Sequence, residues 1–273
     1  MKHENKLKGV SETLLIPLVG RALGSKYYPE LGFSDPLATE FLEAIDFDPS
    51  RLLKSKQVVA GGAIRAKLYD GVAREFFKKY PNGTGVSIGA GLCTRFHRID
   101  NGRMKWIDLD LPEVIELKRK LLSETDRYRM IAKSLLDFSW MQDVMEVGAA
   151  TPASPVLLIS EGVFIYFHAD QIKELIVRAA DVFPANSELL FDYCHPLVAR
   201  NSRRVTPVKN KGASFRWIIH SPKEIQAWDN RFNFVKTISI TEHIAGAVGA
   251  VAKTFRWVTG KQLYAFAHFR KIK

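Results

Sequence analysis

Residues 85 to 122 read GVSIGAGLCTRFHRIDNGRMKWIDLDLPEVIELKRKLL, and this stretch limits the chain to a small set of folds. A short apolar run (Val86, Ser87, Ile88) enters a glycine turn at Gly89, Ala90 and Gly91. About twenty residues on, a second short run, Met104 to Ile107, meets two acids, Asp108 and Asp110. In α/β domains this is how a first strand, a glycine turn and an acidic second-strand end come to hold the adenosine part of a ligand. Glycine lets the backbone approach the ligand where a Cβ would collide with it. The carboxylate then accepts hydrogen bonds from the ribose hydroxyls.

A paired glycine alone is also what any tight strand-to-helix connection uses. The nature of the ligand turns on the next residues. A dinucleotide fingerprint has a third small residue that packs the helix on the strand. Thr94 followed by Arg95 stands there instead. A pyrophosphate also needs a clean helix N-terminus. The pattern suits a nucleoside ligand without phosphate, of which S-adenosylmethionine is the obvious example, while a nicotinamide-dependent oxidoreductase stays open as the alternative.

Strands and helices alternate after this point. The spacing predicts strands over 85–89, 104–108, 128–135, 155–160 and 188–193, with a short helix after the first. Helices are expected over 112–123 and from Ala169 through Asp181. A closing pair, 232–240 and 262–270, flanks a helical 244–257 segment. Such alternation predicts a doubly wound, mostly parallel sheet with an antiparallel edge. Upstream, 58–80 has the periodicity of a long amphipathic helix, and 14–53 reads as helical turns broken by Pro17, Pro29, Pro36 and Pro49. Ser34-Asp35-Pro36 is a helix start, with a capping side chain before a proline at the first helical position.

Ligands of such sheets bind beyond the carboxyl ends of the strands. The residues standing there are Gly89, Gly91, Asp108, Asp110, Asp137, Glu161, Asp192 and Tyr193. Acids dominate. No histidine pair at metal-ligand spacing accompanies them, so a cationic ligand is expected rather than a metal. S-adenosylmethionine, with its sulfonium and ammonium, fits that chemistry.

The net charge of +11 makes nucleic acid, an anionic surface or an acidic small molecule conceivable partners. Arg200, Arg203, Arg204, Lys209, Lys211 and Arg216 crowd one segment. Such a segment is either a solvated loop or a basic lip that receives an acidic substrate through residues such as Arg203 and Arg204. No aromatic RNA-binding pattern or zinc-finger spacing points to nucleic acid. No apolar stretch approaches a membrane span. The amino terminus lacks the apolar core of a secretory signal, and the two cysteines, Cys93 and Cys194, form no disulfide framework. A reducing, cytoplasmic setting is the expectation.

Four motifs in order, GAGLCTRFHR, WIDLDLP, LDFSW and ISEGVFIYF, resemble the leucine carboxyl methyltransferase family, in its bacterial branch of polyketide O-methyltransferases. The similarity runs from ETLLIPLVGRA near residue 12 to FDYCHP near residue 196. It implies a class I S-adenosylmethionine-dependent methyltransferase: a Rossmann-like, mostly parallel seven-stranded sheet with an antiparallel edge and an N-terminal helical cap. One domain is expected, with the cap over about 1–80, the core over about 84–273 and the basic insertion near 197–217. By motif, Arg65 is similar to the arginine that pairs with the methionine carboxylate, and Gly89 and Gly91 form the turn under the methionine. Asp110 is like the acid on the ribose, Asp137 and Phe138 resemble the pair beside the adenine, and Glu161 resembles the glutamate at the methionine amino group. Arg21 is similar to a basic residue near the cofactor. Tyr166 is a candidate substrate contact whose other reading is core packing. The family usually has GxGxDTR, and Cys93 replaces that aspartate here. The expected reaction is methyl transfer to an oxygen of a small acidic molecule. A carboxylate acceptor is already ionised at neutral pH, whereas a phenol, with a pKa near 10, needs a base. A non-catalytic binding protein, or action on a protein C-terminus or on nucleic acid, are the other readings.

Overall fold

A computed structural model of the protein describes residues 14–53, 56–148, 150–199, 216–219 and 221–273. Seven strands form one sheet: β1 (Thr84–Ile88), β2 (Lys105–Asp110), β3 (Tyr128–Ala132), β4 (Val156–Ser160), β5 (Glu188–Cys194), β6 (Phe232–Ser239) and β7 (Tyr264–Lys271). Their order is β3-β2-β1-β4-β5-β7-β6. The first five run parallel, and β7 pairs antiparallel with both β5 and β6. The expected α/β class is therefore present, with the closing pair at an antiparallel edge. Within that pair the reversed strand β7 lies between β5 and β6, and β6 forms the rim.

The helices are α1 (Leu15–Tyr27), α2 (Pro36–Ala44), α3 (Ser50–Leu53), α4 (Lys56–Lys79), α5 (Arg95–Ile99), α6 (Pro112–Leu121), α7 (Trp140–Gly148), α8 (Ala169–Val182) and α9 (Ala247–Thr259). Strands β1, β4 and β5 are buried at every residue, because helices cover both faces of a parallel sheet and leave no polar side. On one face Val86, Ile88, Leu158 and Phe191 pack against Trp140 and Val144 of α7 and Ile172 and Ile176 of α8. On the other, Trp106, Leu157, Ile159 and Phe266 meet Ile64, Tyr69, Val72 and Phe76 of α4. Alternation along the strands thus puts Ser87, Asp192 and Tyr264 on the α4 face, while Tyr193 belongs to the opposite core.

Two expectations need correction. Pro17 does not break the first helix but sits in the first turn of α1, where amide hydrogens have no intrahelical acceptor and none is missed. The third strand stops at Ala132, not Leu135, because Ser134 starts a turn that receives the Leu136 and Asp137 amides. Asp35 caps α2 as expected, accepting the Ala38 N–H at 3.1 Å, with Pro36 behind it.

The N-terminal helices reach the sheet through α4 and α6. Leu15, Leu18, Ala38 and Phe41 form a core with Val114 and Leu117 of α6 and with Leu92, just past the glycine turn. The α1–α4 contact is backbone on backbone: a Cβ built on Gly20 falls 2.8 Å from Gly62 Cα. This close crossing fixes the distance between the residues that follow, Arg21 on α1 and Arg65 on α4.

The crossing is directly testable. Gly20→Ala gains about 1 kcal/mol of helix propensity but collides with backbone, an overpacking cost of about 1–3 kcal/mol. Gly61→Ala, one residue before Gly62 with nothing within 4 Å of its Cβ, gains propensity without the collision. Thermal melts are expected to show Gly20→Ala below wild type and Gly61→Ala at or above it.

Candidate cofactor site

The main chain of β1 turns at Gly89, whose φ is +68°, a left-handed conformation that favours glycine. The Gly89 and Ala90 amides donate to Leu109 O at 2.8 and 3.0 Å, tying the turn to β2. Two residues further, the Gly91 amide donates to Asp110 Oδ2 at 2.6 Å, and the Leu111 amide donates to Oδ1 at 2.7 Å. Burial pushes the Asp110 carboxyl up to about 6, against the pull of these two amides. The neighbouring acid has a different task. Asp108 is buried and accepts from Trp106 Nε1 at 3.0 Å, Lys118 Nζ at 2.5 Å and Tyr128 Oη at 2.5 Å. Its lone pairs serve the core, and Asp110 is the acid at the turn.

Beside the turn lies a cleft. Arg21, Arg65, Ser87, Gly91, Cys93, Arg95 and Glu161 line it, under Leu14 and Pro17. Glu161, the residue after β4, accepts from Arg65 Nε at 2.8 Å and from Arg95 Nη2 at 2.5 Å. Burial opposes its ionisation, and the two guanidinium groups override this and hold the carboxyl well below the usual carboxylate range. Arg95 is held in turn by Asp70 Oδ1 at 2.8 Å. Asp70 also accepts from Arg98 at 2.7 and 3.0 Å, and Arg98 reaches Asp35 at 2.6 Å. Thr94 Oγ1 donates to the same Asp35 oxygen at 2.6 Å. Arg21 closes the series, donating from Nη2 to Leu92 O at 2.8 Å with its Nε 3.4 Å from Asp35 Oδ2.

Among the described residues, two buried polar atoms on the cleft lining have no hydrogen-bond partner, Arg21 Nε and Ser87 Oγ. Buried donors without acceptors are rare, and these two fit a polar ligand. Each oxygen of Glu161 and of Asp110 keeps a second lone pair beyond the bonds above. The set therefore offers cations for a carboxylate, an anion for an ammonium and an acid for a diol, which is what S-adenosylmethionine presents. Among the described residues, no three His, Cys, Asp or Glu side chains are placed to hold a metal ion, and no helix is long and apolar enough to cross a membrane.

The leucine carboxyl methyltransferase profile matches residues 15–180. The chain belongs to this family. It is 31% identical over 223 residues to the tetracenomycin polyketide synthesis O-methyltransferase TcmP of Streptomyces glaucescens, covering 81% of this chain and 80% of that one. It is 26% identical over 245 residues to the S-adenosyl-L-methionine-dependent methyltransferase dpfgK of Gibberella zeae, covering 82% and 80%. The fold is similar to that of a DUF574 family protein of Streptomyces avermitilis, with a TM-score of 0.60 at 17% identity over 92% of this chain and 96% of that one.

Within this family member, the cleft brings together Arg65, Gly91 and Glu161 with Arg21. Gly89 lies in the same turn, covered by Val163, and Asp110 joins through Gly91. Asp137 and Phe138 are not among the cleft-lining residues. Asp137 is exposed and accepts from Ser139 N and Oγ at 3.2 and 2.7 Å, and Phe138 lies under Arg178 at 4.6 Å. Tyr166 is half-buried on the 3-10 turn Phe164–Tyr166. Arg203 and Arg204, with most of the basic segment, lie outside the described residues. Cys93 lines the cleft, and its carbonyl accepts Lys118 Nζ at 2.7 Å. Residues that sequence reasoning does not single out are Arg95, Asp70, Arg98 and Tyr264. A signal exists for Arg95 in the Thr94-Arg95 pair after the turn.

Glu161 separates two cations, and that has a measurable cost. Glu161→Gln leaves Arg65 and Arg95 facing each other without their shared anion. Removing one partner from a buried ion network costs about 3–5 kcal/mol. Urea unfolding of Glu161→Gln is expected to show a midpoint far below wild type with an unchanged slope.

Proposed function

We propose that the chain transfers a methyl group from S-adenosylmethionine to an oxygen of a small acidic molecule, a carboxylate or phenol. The observation that supports this best is the cleft itself, which joins Arg65, Glu161 and Gly91, with Asp110 bonded to Gly91. In this reading Arg65 and Arg21 take the methionine carboxylate, Glu161 the ammonium and Asp110 the ribose hydroxyls. Asp137 and Phe138 are assigned to the adenine side. The bound cofactor supplies an electrophilic methyl on a sulfonium. The protein's contribution is to position the ends of that cofactor and keep water from between the partners.

The nicotinamide alternative loses ground on two observations. The chain belongs to a methyltransferase family. The position where a dinucleotide site has a small residue is filled by Thr94, whose hydroxyl is committed to Asp35. A small-molecule acceptor follows from the role of the Streptomyces relative in polyketide synthesis. A carboxylate acceptor asks for no general base.

The cofactor assignment carries a pH signature. A ribose diol binds the ionised form of Asp110, and that form is lost as pH falls through about 6. Calorimetric titration with S-adenosylhomocysteine is expected to show affinity level above pH 7 and falling about tenfold for each pH unit well below 6. Asp110→Asn is expected to bind more weakly at pH 7 and to lose this dependence. A wild-type profile that stays flat from pH 7 to pH 5 overturns the role of Asp110. Turnover with phenols and not with any carboxylic acid overturns the carboxylate preference.

A further inference from the structure

Arg65 and Glu161 come from distant parts of the chain, yet they must present a cation and an anion to the same ligand at a fixed separation. Their direct bond leaves the guanidinium free to swing about it. A second attachment removes that freedom. Asp192, on β5, is fully buried. Its Oδ1 accepts the Gly162 amide, the residue after Glu161, at 2.6 Å. Its Oδ2 accepts the hydroxyl of Tyr264. The same hydroxyl oxygen accepts Arg65 Nη1 at 2.9 Å, and Asp192 Oδ2 itself lies 3.7 Å from Nη1. One carboxylate therefore holds the Glu161 segment with one oxygen and, through a phenol, Arg65 with the other.

The direction of these bonds is fixed by chemistry. A phenol has one proton, and a guanidinium only donates. Tyr264 must accept from Arg65 and give its own proton to Asp192. Burial raises the Tyr264 hydroxyl well above its ordinary range, so the proton stays in place. Among the described residues, Arg65 commits Nε to Glu161 and Nη1 to Tyr264, and Nη2 makes no hydrogen bond. That nitrogen is left for an incoming carboxylate.

The placement of Tyr264 follows from topology. It is the first residue of β7, the one strand antiparallel to β5. A reversed strand brings its beginning to the end of the sheet where β1, β4 and β5 finish. Cys194 at the end of β5 pairs with Tyr264.

We propose that Asp192 and Tyr264 are a positioning pair that sets Arg65 against the Glu161 segment and so gives the site its selectivity for ligands carrying an amino-acid end. This rests on the cofactor reading above. In this reading the pair acts through Arg65 and the Glu161 segment, so its effect falls on the amino-acid end of the ligand.

The test compares two probes that differ at that end. S-adenosylhomocysteine has the α-amino acid, and 5′-methylthioadenosine has the same adenosine and thioether without it. Calorimetry is run on wild type, Tyr264→Phe and Asp192→Asn, with thermal midpoints beside it. Loss of one hydrogen bond to a charged group corresponds to a change of about tenfold or more in affinity. Tyr264→Phe, which removes a single oxygen, is expected to weaken S-adenosylhomocysteine about tenfold and leave 5′-methylthioadenosine within about twofold. Asp192→Asn is expected to change the same ligand selectively, and if it does not fold, Tyr264→Phe decides alone. Equal losses for both probes mean a general structural role and overturn the proposal, as does no loss for either. A wild type that binds both probes equally overturns it too, since the amino-acid end is then unread. A wild type that binds neither probe overturns the cofactor reading itself.

Discussion

The structure depends on a buried row of alternating charges that starts at Arg21 and runs through Asp35, Arg98, Asp70, Arg95, Glu161 and Arg65 to Asp192. Four guanidinium groups meet four carboxylates. Taking any one of these ions out of water alone costs several kcal/mol, and a lone pair inside a protein often fails to recover that cost. The row meets the difficulty by giving each internal ion two partners. It also joins elements that the backbone keeps far apart: α1, the start of α2, α4, α5, the segment after β4, and β5. The N-terminal helices are bound to the sheet by charge as well as by their apolar core.

The same arrangement explains why the cleft is basic on one side. Glu161 has its charge shared by Arg65 and Arg95, and Arg21 has an unsatisfied Nε. The guanidinium groups on the lining are cations that folding has already desolvated. Asp110 sits apart from the row, held by amides rather than arginines, and this is why its carboxyl lies high while that of Glu161 lies low.

Much of this is legible in the amino-acid sequence. The glycine turn, the acid on the second strand and the apolar runs mark the strands in turn, because parallel strands buried on both faces are written as short uninterrupted apolar stretches. The capping of α2 is legible from three residues. The third strand reads too long because Lys133 to Leu135 contains no glycine or proline to mark the turn at Ser134. Helix α7 escapes the sequence reading although Trp140, Met141 and Val144 have helical spacing. The site divides along the same line. Arg65, Gly91, Asp110 and Glu161 stand in recognisable motifs. Arg95 acts through Asp70, 25 residues away, and Arg65 meets Tyr264 across 199 residues. No local pattern encodes contacts of that range. Asp108 and Asp110 look equivalent by residue type and place; the family motif singles out Asp110, and the bonds of Asp108 to Trp106, Lys118 and Tyr128 give the physical reason.

The reversal of β7 has a consequence for how the molecule is made. Among the described residues, β6 pairs in the sheet with β7 alone, and β7 lies between β5 and β6. Chains emerge from synthesis amino end first. The glycine turn, Asp110 and Glu161 all precede residue 264 in the chain, and the phenol bonded to Arg65 arrives with β7. The strand that lies between β5 and β6 thus brings with it the Tyr264 hydroxyl that bonds both Arg65 and Asp192. The strand that joins β6 to the sheet also carries the phenol of the Arg65 cluster.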